Sequence, residues 1–328
     1  MPRAHYENVI IVTRNTELDD LVRRFNTKAQ AKFYLKRAGQ SFDAIEEAHE
    51  THQAVLTRLR QAIPNTIKSQ TIGRELVPRF MFGDDDLVIT VGQDGLVSNT
   101  AKYLSGQPIL AVNPDPDRFD GVLLPFTTET VEPQLHMTLY GPHADEHTQS
   151  VTLARASLQD GQTLLAFNDF FIGANSHVSA RYVIESGTRR ENQSSSGIIV
   201  STGAGSTGWL QSVYAGAAGV VEALGGTVLP PPDNGRLPWD SEDLVYSVRE
   251  PFPSRTTQTS IVHGIINRKT PLRITSQMPT NGVIFSDGVE ADYLEFNSGA
   301  ELTIETAARK ANLIIPFSEA RHCAAAGS

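Results

Sequence analysis

Leu87-Val88-Ile89-Thr90-Val91-Gly92-Gln93-Asp94-Gly95, running on into Leu96–Leu104, is the stretch that decides the fold. Its first five residues are apolar or β-branched without alternation, the pattern of a strand buried on both faces in a parallel sheet. The acidic turn Gly83-Asp84-Asp85-Asp86 introduces it, a Gly-Gln-Asp-Gly loop leaves it, and Leu96–Leu104 reads as a short helix. Similar runs flank it. Asn8–Thr13 (NVIIVT) and Pro108–Val112 (PILAV) have the same strand character, and a weaker strand falls around Thr66–Ser69. Ser41 opens a helix in which Phe42, Ile45, Ala48, His52, Val55, Leu59 and Ile63 recur at helical spacing until Pro64 stops it. Strands separated by helices at this spacing imply right-handed crossovers and a parallel sheet.

After about Asn113 the texture changes. Pro114, Pro116, Gly121 and Pro125 make a bent, helix-poor linker. Short β-branched runs follow at Leu135–Tyr140, Val151–Leu158, Leu164–Ile172, Ala180–Ile184, Gly197–Ser201, Leu244–Val248, Leu272–Ser276, Gly282–Ser286 and Leu302–Glu305. With turn signals between them they predict an antiparallel sandwich or paired sheets. Only Gly208–Leu224, rich in small residues, reads as a helix there, and Pro230–Pro232 with Asn234-Gly235 marks a loop. The expected plan is an α/β domain over 1–125, a β-rich domain over 126–310, and a C-terminal segment 311–328. In that segment Leu313–Phe317 is free to return to the first domain and Ala324–Ser328 is a disordered-looking tail.

The chain has 328 residues, a formal charge of −9, 40% hydrophobic and 20% charged residues, which fits a soluble globular protein of about two domains. No apolar run reaches membrane-spanning length; Ala215–Gly226 is cut by Glu222. The acidic balance, 28 Lys and Arg against 37 Asp and Glu, gives no basic footprint for nucleic acid or anionic lipid. A first strand near Asn8 leaves no room for a leader, and the single Cys323 supplies neither a disulfide nor a zinc cluster. A reducing, cytoplasmic compartment is the expectation.

Three clusters carry chemistry. The Gly92-Gln93-Asp94-Gly95 loop sits where a parallel strand ends and a helix begins, the edge at which open α/β sheets place ligands. Free N–H groups at the helix start favour an anion such as phosphate. A carboxylate there would accept a proton from a hydroxyl nucleophile or hold Mg²⁺; the plain alternative is a turn in which Asp bonds its own backbone. Ser194–Trp209 (SSSGIIVSTGAGSTGW) runs from a strand through a glycine- and hydroxyl-rich loop into a helix, with Ser206 or Thr207 near its N-cap, and Trp209 offers an aromatic face. It reads as a ligand loop or as a flexible connector. In Ala166–Gly173 (AFNDFFIG), Asn168 and Asp169 interrupt an apolar strand; they suit two neighbouring ribose hydroxyls, or mark a bulge or strand end.

In this order and at these separations the clusters resemble the hallmarks of the NAD kinases. Those are a Gly-Gly-Asp-Gly loop after a strand, an Asn-Glu or Asn-Asp pair, and a Ser-Gly…Ser-Thr-Pro-Thr-Gly-Ser-Thr-Ala-Tyr-like segment. SFDAIEEAHETHQAVL (41–56), VNPDPDRFDGVLLPF (112–126), FNDFFIG (167–173) and SVREPFPSR (247–255) are similar to the mitochondrial-type branch. The resemblance spans about Asn8 to Glu305. It implies an N-terminal Rossmann-like parallel-sheet domain, a C-terminal β-sandwich, NAD bound between them, and a homodimer or higher homo-oligomer. It also implies Mg²⁺-dependent transfer of the terminal phosphoryl group of ATP to the 2′-hydroxyl of the adenosine ribose of NAD, giving NADP. By that match Asp94 is the catalytic carboxylate, and Gly92, Gln93, Gly95 and Arg14 face the phosphate donor. Asn168 and Asp169 hold the ribose, while Ala204, Thr207, Gly208, Trp209, Ser212 and Phe126 contact the dinucleotide. No metal ligand is assigned, since Mg²⁺ would ride on the nucleotide phosphates.

The chain departs from the family pattern at four places. Gln93 stands where the family keeps glycine, and a positive φ there would be costly. Gly203-Ala204 replaces Pro-Thr, Trp209 replaces Tyr and Asp169 replaces Glu. Two other functions follow from these departures: an NAD(P)-binding regulator that has lost transfer through Gln93, or a kinase for another hydroxyl. Other signals have plainer readings. His49 and His52 are three apart, not the four of a zincin helix. Asp84–Asp86 reads as a solvated turn, Asp287-Gly288 as hairpin geometry, and Ser206 lacks a nucleophile elbow.

Overall fold

The computed structural model describes residues 4–141, 147–229 and 231–316, so Cys323 and the tail from Ala324 lie outside it. The chain divides into two compact units. One holds the described residues up to Gln149 together with Asn312 onward; the other is Ser150–Ala311.

The first unit contains β1 (Asn8–Thr13), α1 (Glu17–Phe25), α2 (Lys28–Arg37), α3 (Phe42–Ala62), β2 (Lys68–Gly73), β3 (Asp86–Val91), α4 (Asp94–Ala101), β4 (Pro108–Asn113), β5 (Phe126–Thr127) and α5 (Val131–Tyr140). Its strands lie in the order β2-β1-β3-β4-β5, all parallel. β3 is buried along its whole length, as its unalternated sequence requires. Val9, Ile11, Leu87, Ile89, Leu110 and Val112 form one core with Val55, Leu56 and Leu59 of α3. Each such side chain contributes about 1.5–3 kcal/mol of burial.

Two helices, α1 and α2, have no counterpart in the sequence reading. Thr16 and Asp19 close a capping box on α1, and Thr27 caps α2. Leu18 packs with Ala31, Leu35 and Phe42 in a small separate core. In α1 the apolar residues Leu18, Leu21, Val22 and Phe25 do recur at helical spacing, a signal the sequence reading passed over; α2 is too mixed with charge to show one.

Residues Leu135–Tyr140, expected as a β-run, form the second half of α5. Its buried positions Val131, Leu135, Thr138 and Leu139 follow the 3.6 period rather than alternation. Val131, Leu135 and Leu139 enter the first unit's core, and Phe126 and Thr127 pair with Val112 and Asn113. The division therefore falls at Gln149/Ser150 rather than after Pro125. Asp86, read as part of a solvated turn, is buried and its carboxylate accepts from Asn8 Nδ2 and the Gly83 amide, both at 2.8 Å.

The second unit is built from β6 (Thr148–Leu158, which begins in the first unit), β7 (Thr163–Ala166), β8 (Asp169–Ala174), β9 (Ala180–Ser186), β10 (Arg189–Ser195), β11 (Ile198–Ser201), α6 (Trp209–Ala223), β12 (Leu244–Val248), β13 (His263–Ile266), β14 (Leu272–Ser276), β15 (Gly282–Ser286), β16 (Val289–Glu295) and β17 (Glu301–Ile314). One sheet has the order β10-β9-β14-β17-β6-β7, the other β13-β12-β11-β8-β15-β16. Phe170, Tyr182, Ile198, Tyr246, Ile274, Ile284 and Phe296 belong to the core they share. This is a β-sandwich. The expected single run Leu164–Ile172 is two strands, β7 in one sheet and β8 in the other, with Phe167 and Asn168 turning the corner. The last residues of β17 count with the first unit, where Asn312 and Leu313 pair with Pro108 and Ile109 of β4.

Candidate functional site

In the first unit the chain goes from β1 to β2 on one side and returns to β3 on the other. The crevice between the carboxyl ends of β1 and β3 is therefore the sheet's topological switch point. Thr13 and Val91 are register partners, so Arg14 and Gly92 leave adjacent strand ends. Gln93 is the N-cap of α4 in extended backbone, φ −108° and ψ 166°, so no glycine-only conformation is demanded there. Its Oε1 accepts a 2.6 Å bond from Arg14 Nη1, tying together two of the expected donor-side residues. Asp94 opens α4, and its carboxylate accepts from the amides of Val122 (3.2 Å) and Leu123 (2.9 Å). The acidic group is thus fixed by backbone donors of the 114–125 loop. A Cβ on Gly95 would meet no atom within 4 Å, so packing does not demand glycine there; open backbone at a helix start is what an anion's approach needs.

His49 and His52 are held by hydroxyls on the same side of the unit: Thr16 Oγ1 to His49 Nδ1 at 2.7 Å, and Thr13 Oγ1 to His52 Nε2 at 2.8 Å. Burial holds the His52 imidazole below its ordinary range.

In the second unit the β7–β8 corner presents Asn168 and Asp169. Asp287 organises it: its carboxylate accepts from the successive amides of Phe167 (2.9 Å), Asn168 (2.6 Å) and Asp169 (3.2 Å). Asp287 and Gly288, both in the left-handed region at φ 52° and 67°, form the two-residue hairpin between β15 and β16. The glycine- and hydroxyl-rich loop packs on the same corner. The Thr202 amide donates to the Asn168 carbonyl at 2.9 Å, and a Cβ on Gly205 would collide with that carbonyl, which is why glycine is needed there. The Ser206 hydroxyl donates to Gly203 O and accepts from the Leu237 amide. It therefore holds the loop and does not cap α6, whose N-cap is Gly208.

Asp169 lines a cleft of about 260 Å³ with Phe171, Trp209, Arg249, Phe285 and Asp287. Burial, and then the neighbouring charge of Asp287, push its carboxyl up to about 7. Phe171 stacks with Trp209 and Phe285, ring centroids 5.9 and 6.4 Å apart at 17°. The Asn168 side-chain amide makes no hydrogen bond among the described residues.

Of the expected dinucleotide residues, Asp169 and Trp209 line this cleft and Asn168 stands at its corner; Thr207, Gly208 and Ser212 are exposed beside it in sequence, and Ala204 is nearly buried. Phe126 lies within the first unit's core, its ring 2% exposed. Six residues of the cleft were missed: Phe171, Arg249, Phe285, Asp287, Gly288 and Glu290. The Asp287-Gly288 pair signalled a turn, but its contact with residues about 120 positions away leaves no local trace.

An open parallel sheet with a glycine loop at its switch point, joined in one chain to a sandwich with an aromatic, carboxylate-bearing cleft, defines a two-unit α/β-plus-sandwich architecture. The comparisons give the particular family resemblance. No family model matches the chain. It is 27% identical over 249 residues to "Probable NADH kinase" of Oryza sativa subsp. japonica, covering 67% of this chain and 70% of that protein. It is 25% identical over 324 residues to "NAD kinase 2, mitochondrial" of Rattus norvegicus, covering 77% and 75%. Among solved structures, an NAD kinase from Archaeoglobus fulgidus in complex with ATP superposes with a TM-score of 0.54 at 18% identity, covering 97% of both chains. Yeast NADH kinase complexed with NADH gives 0.56 at 15% identity, covering 98% of this chain and 85% of that one. The fold is that of the NAD kinases, and the resemblance drawn from the motifs is borne out in sequence.

Proposed function

We propose that the protein is an ATP-dependent NAD kinase, phosphorylating the 2′-hydroxyl of the adenosine ribose of NAD to give NADP. The observation that carries this reading is the pairing, in one chain, of a carboxylate at a switch-point helix start with an Asn-Asp corner beside an aromatic cleft. Residues of the first unit serve the donor: Arg14 presents a cation and Gln93 and Gly95 present backbone N–H donors to phosphate, Gly92, whose amide donates to Val112 O, lends only close backbone approach, and Asp94 orients the accepting hydroxyl and takes its proton late. Residues of the second unit serve the acceptor: Asn168 and Asp169 bond the ribose hydroxyls and Trp209, with Phe171, borders the dinucleotide. Ala204, Thr207, Gly208 and Ser212 border that loop as secondary contacts.

Among the described residues no three His, Cys, Asp or Glu gather into a cation cage. A lone carboxylate such as Asp94 fits an Mg²⁺ that arrives on ATP phosphates, and when bound the ion would neutralise charge on the transferring group. No described helix is long and apolar enough to cross a membrane. A cytoplasmic setting is part of the proposal, tested by fractionation because the rat relative is named mitochondrial. So is a homodimer, tested by sedimentation; α6 and its C-cap offer it material, with Val220 and Leu224 61% and 83% exposed.

The direct test incubates purified protein with ATP and Mg²⁺ and with NAD or NADH, and assays NADP and NADPH. Formation of either is expected. Folded protein that forms neither overturns the reading.

A further inference from the structure

The cleft of the second unit contains a cation, Arg249 of the SVREPFPSR stretch, to which neither the resemblance nor the proposed roles assign a part. Arg249 follows β12 and pairs through its backbone with Gly197: its amide donates to Gly197 O at 2.8 Å, and its carbonyl accepts from Ser196 at 2.9 Å. Ser201 is the register partner of Asp169, and Ile199 of Phe171. The Arg249 backbone therefore lies four residues along β11 from the level of Asp169, about 13 Å at the usual strand rise. Between these two levels the floor is aromatic. The Phe171 ring lies across Gly197, where φ is +105° and a Cβ would collide with that ring, and Trp209 stacks on Phe171.

The guanidinium turns back over this floor, its carbon 5.5 Å from the Trp209 ring centroid, which suits a cation–π contact. Among the described residues its only carboxylate contact is the adjacent Glu250 at 3.7 Å, long for a charge-assisted bond, and the side chain keeps about a third of its surface exposed. The cleft is thus graded along its length. Carboxylate and carboxamide groups that suit sugar hydroxyls stand at one end, ring faces in the middle, and a guanidinium with donors to spare at the other. Of the carboxylates lining the cleft, Asp287 has its oxygens taken up by three amides, and Glu290 completes the lining.

We propose that Arg249 is the anion-binding residue of this cleft, receiving a phosphate group of the nucleotide whose ribose is held at Asn168 and Asp169. The inference rests on the reading of that corner as the ribose site and adds what the assigned roles lacked, a fixed positive charge for the diphosphate. A planar guanidinium can take phosphate oxygens bidentately while its π face stays on Trp209.

Titration calorimetry with wild type, Arg249→Met and Arg249→Lys tests it, using NAD, ADP-ribose and adenosine as ligands. Met keeps an apolar stem on Trp209 and removes the charge. NAD and ADP-ribose should bind Arg249→Met at least 10-fold more weakly while adenosine changes less than twofold, and Arg249→Lys should recover part of the loss. The affinity of wild type for NAD should fall with salt more steeply than that of Arg249→Met. Equal losses for adenosine and NAD would make Arg249 a support for Trp209 only, and unchanged NAD affinity would place the anion elsewhere; either overturns the proposal while leaving the kinase reading intact if wild type forms NADP. A wild type that binds none of the three ligands overturns both.

Discussion

The two regions that carry the chemistry are built in opposite ways. The Gly92–Gly95 region is a product of topology: two neighbouring strands end together, a helix starts, and backbone donors result wherever the side chains are small. The Asn168–Asp169 region is a product of distant contacts. Asp287 grips the corner, Gly205 lets a loop close on it, and rings come from Phe171 of β8 itself and Phe285 of the neighbouring β15. The first region keeps its carboxylate among backbone amides. The second buries a carboxylate next to another and lifts its proton affinity. A site made by topology should tolerate side-chain loss structurally and fail in chemistry, whereas one made by packing should fail structurally as well.

The sharpest break of that contrast is Asp94→Asn. The amide keeps one acceptor for Val122 or Leu123, so the melting temperature should fall only a few degrees. Turnover should fall about 10²–10⁴-fold, the usual worth of a positioned general base, read as NADP formed per enzyme. Turnover retained within threefold would remove Asp94 from the chemistry. Next in size is Asp287→Ala, which leaves three adjacent amides without their acceptor. At about 1 kcal/mol or more for each donor left unsatisfied, the second unit should lose roughly 3 kcal/mol by urea denaturation. A loss below about 1 kcal/mol would show that the corner holds its shape without this carboxylate.

These contrasts also explain what the sequence could reveal. The strands β1, β3 and β4 were legible because burial on both faces writes an unbroken apolar run, and Gly92–Gly95 was legible because a strand end and a helix start adjoin it. Asn168 and Asp169 stood out as polar letters in an apolar run. Their partners did not, since Asp287 reads as an ordinary hairpin residue and Arg249 as a surface cation until the sheet brings β8, β11, β12 and β15 side by side. Residues 135–140 read as a β-run because a short apolar segment satisfies either period, and only its burial in the first unit's core decides between them. Phe126 shows the converse: a motif position can be fully spent on packing.

Protonation of Asp169 separates the two regions again, with a smaller effect. Its folded value near 7 lies above that of an unfolded aspartate, so the folded state binds the proton more tightly. Stability is therefore lost as pH rises from about 4 through 7, and the deficit is complete above 7. Asp169→Asn removes the titration. It should stabilise the protein at pH 8 by roughly 2 kcal/mol, discounted from the full shift for partial exposure, and by nothing at pH 4. Parallel pH–stability curves for variant and wild type would refute the assignment.

The smallest expected effect concerns Gln93, the residue that most departs from the family loop. Its extended backbone carries no strain, so the side chain's whole contribution is the 2.6 Å bond from Arg14. That pair is exposed, and an exposed contact of a charged side chain is worth at most about 1 kcal/mol. Gln93→Gly should thus leave the fold unchanged and alter turnover by less than fivefold. If the glutamine holds Arg14 toward the donor, the KM for ATP should rise a few-fold while that for NAD stays constant. Turnover raised 10-fold or more would instead show that the side chain obstructs the phosphate path. The second outcome would reverse the contrast drawn above, because a site made by backbone topology would then be limited by one side chain placed on it.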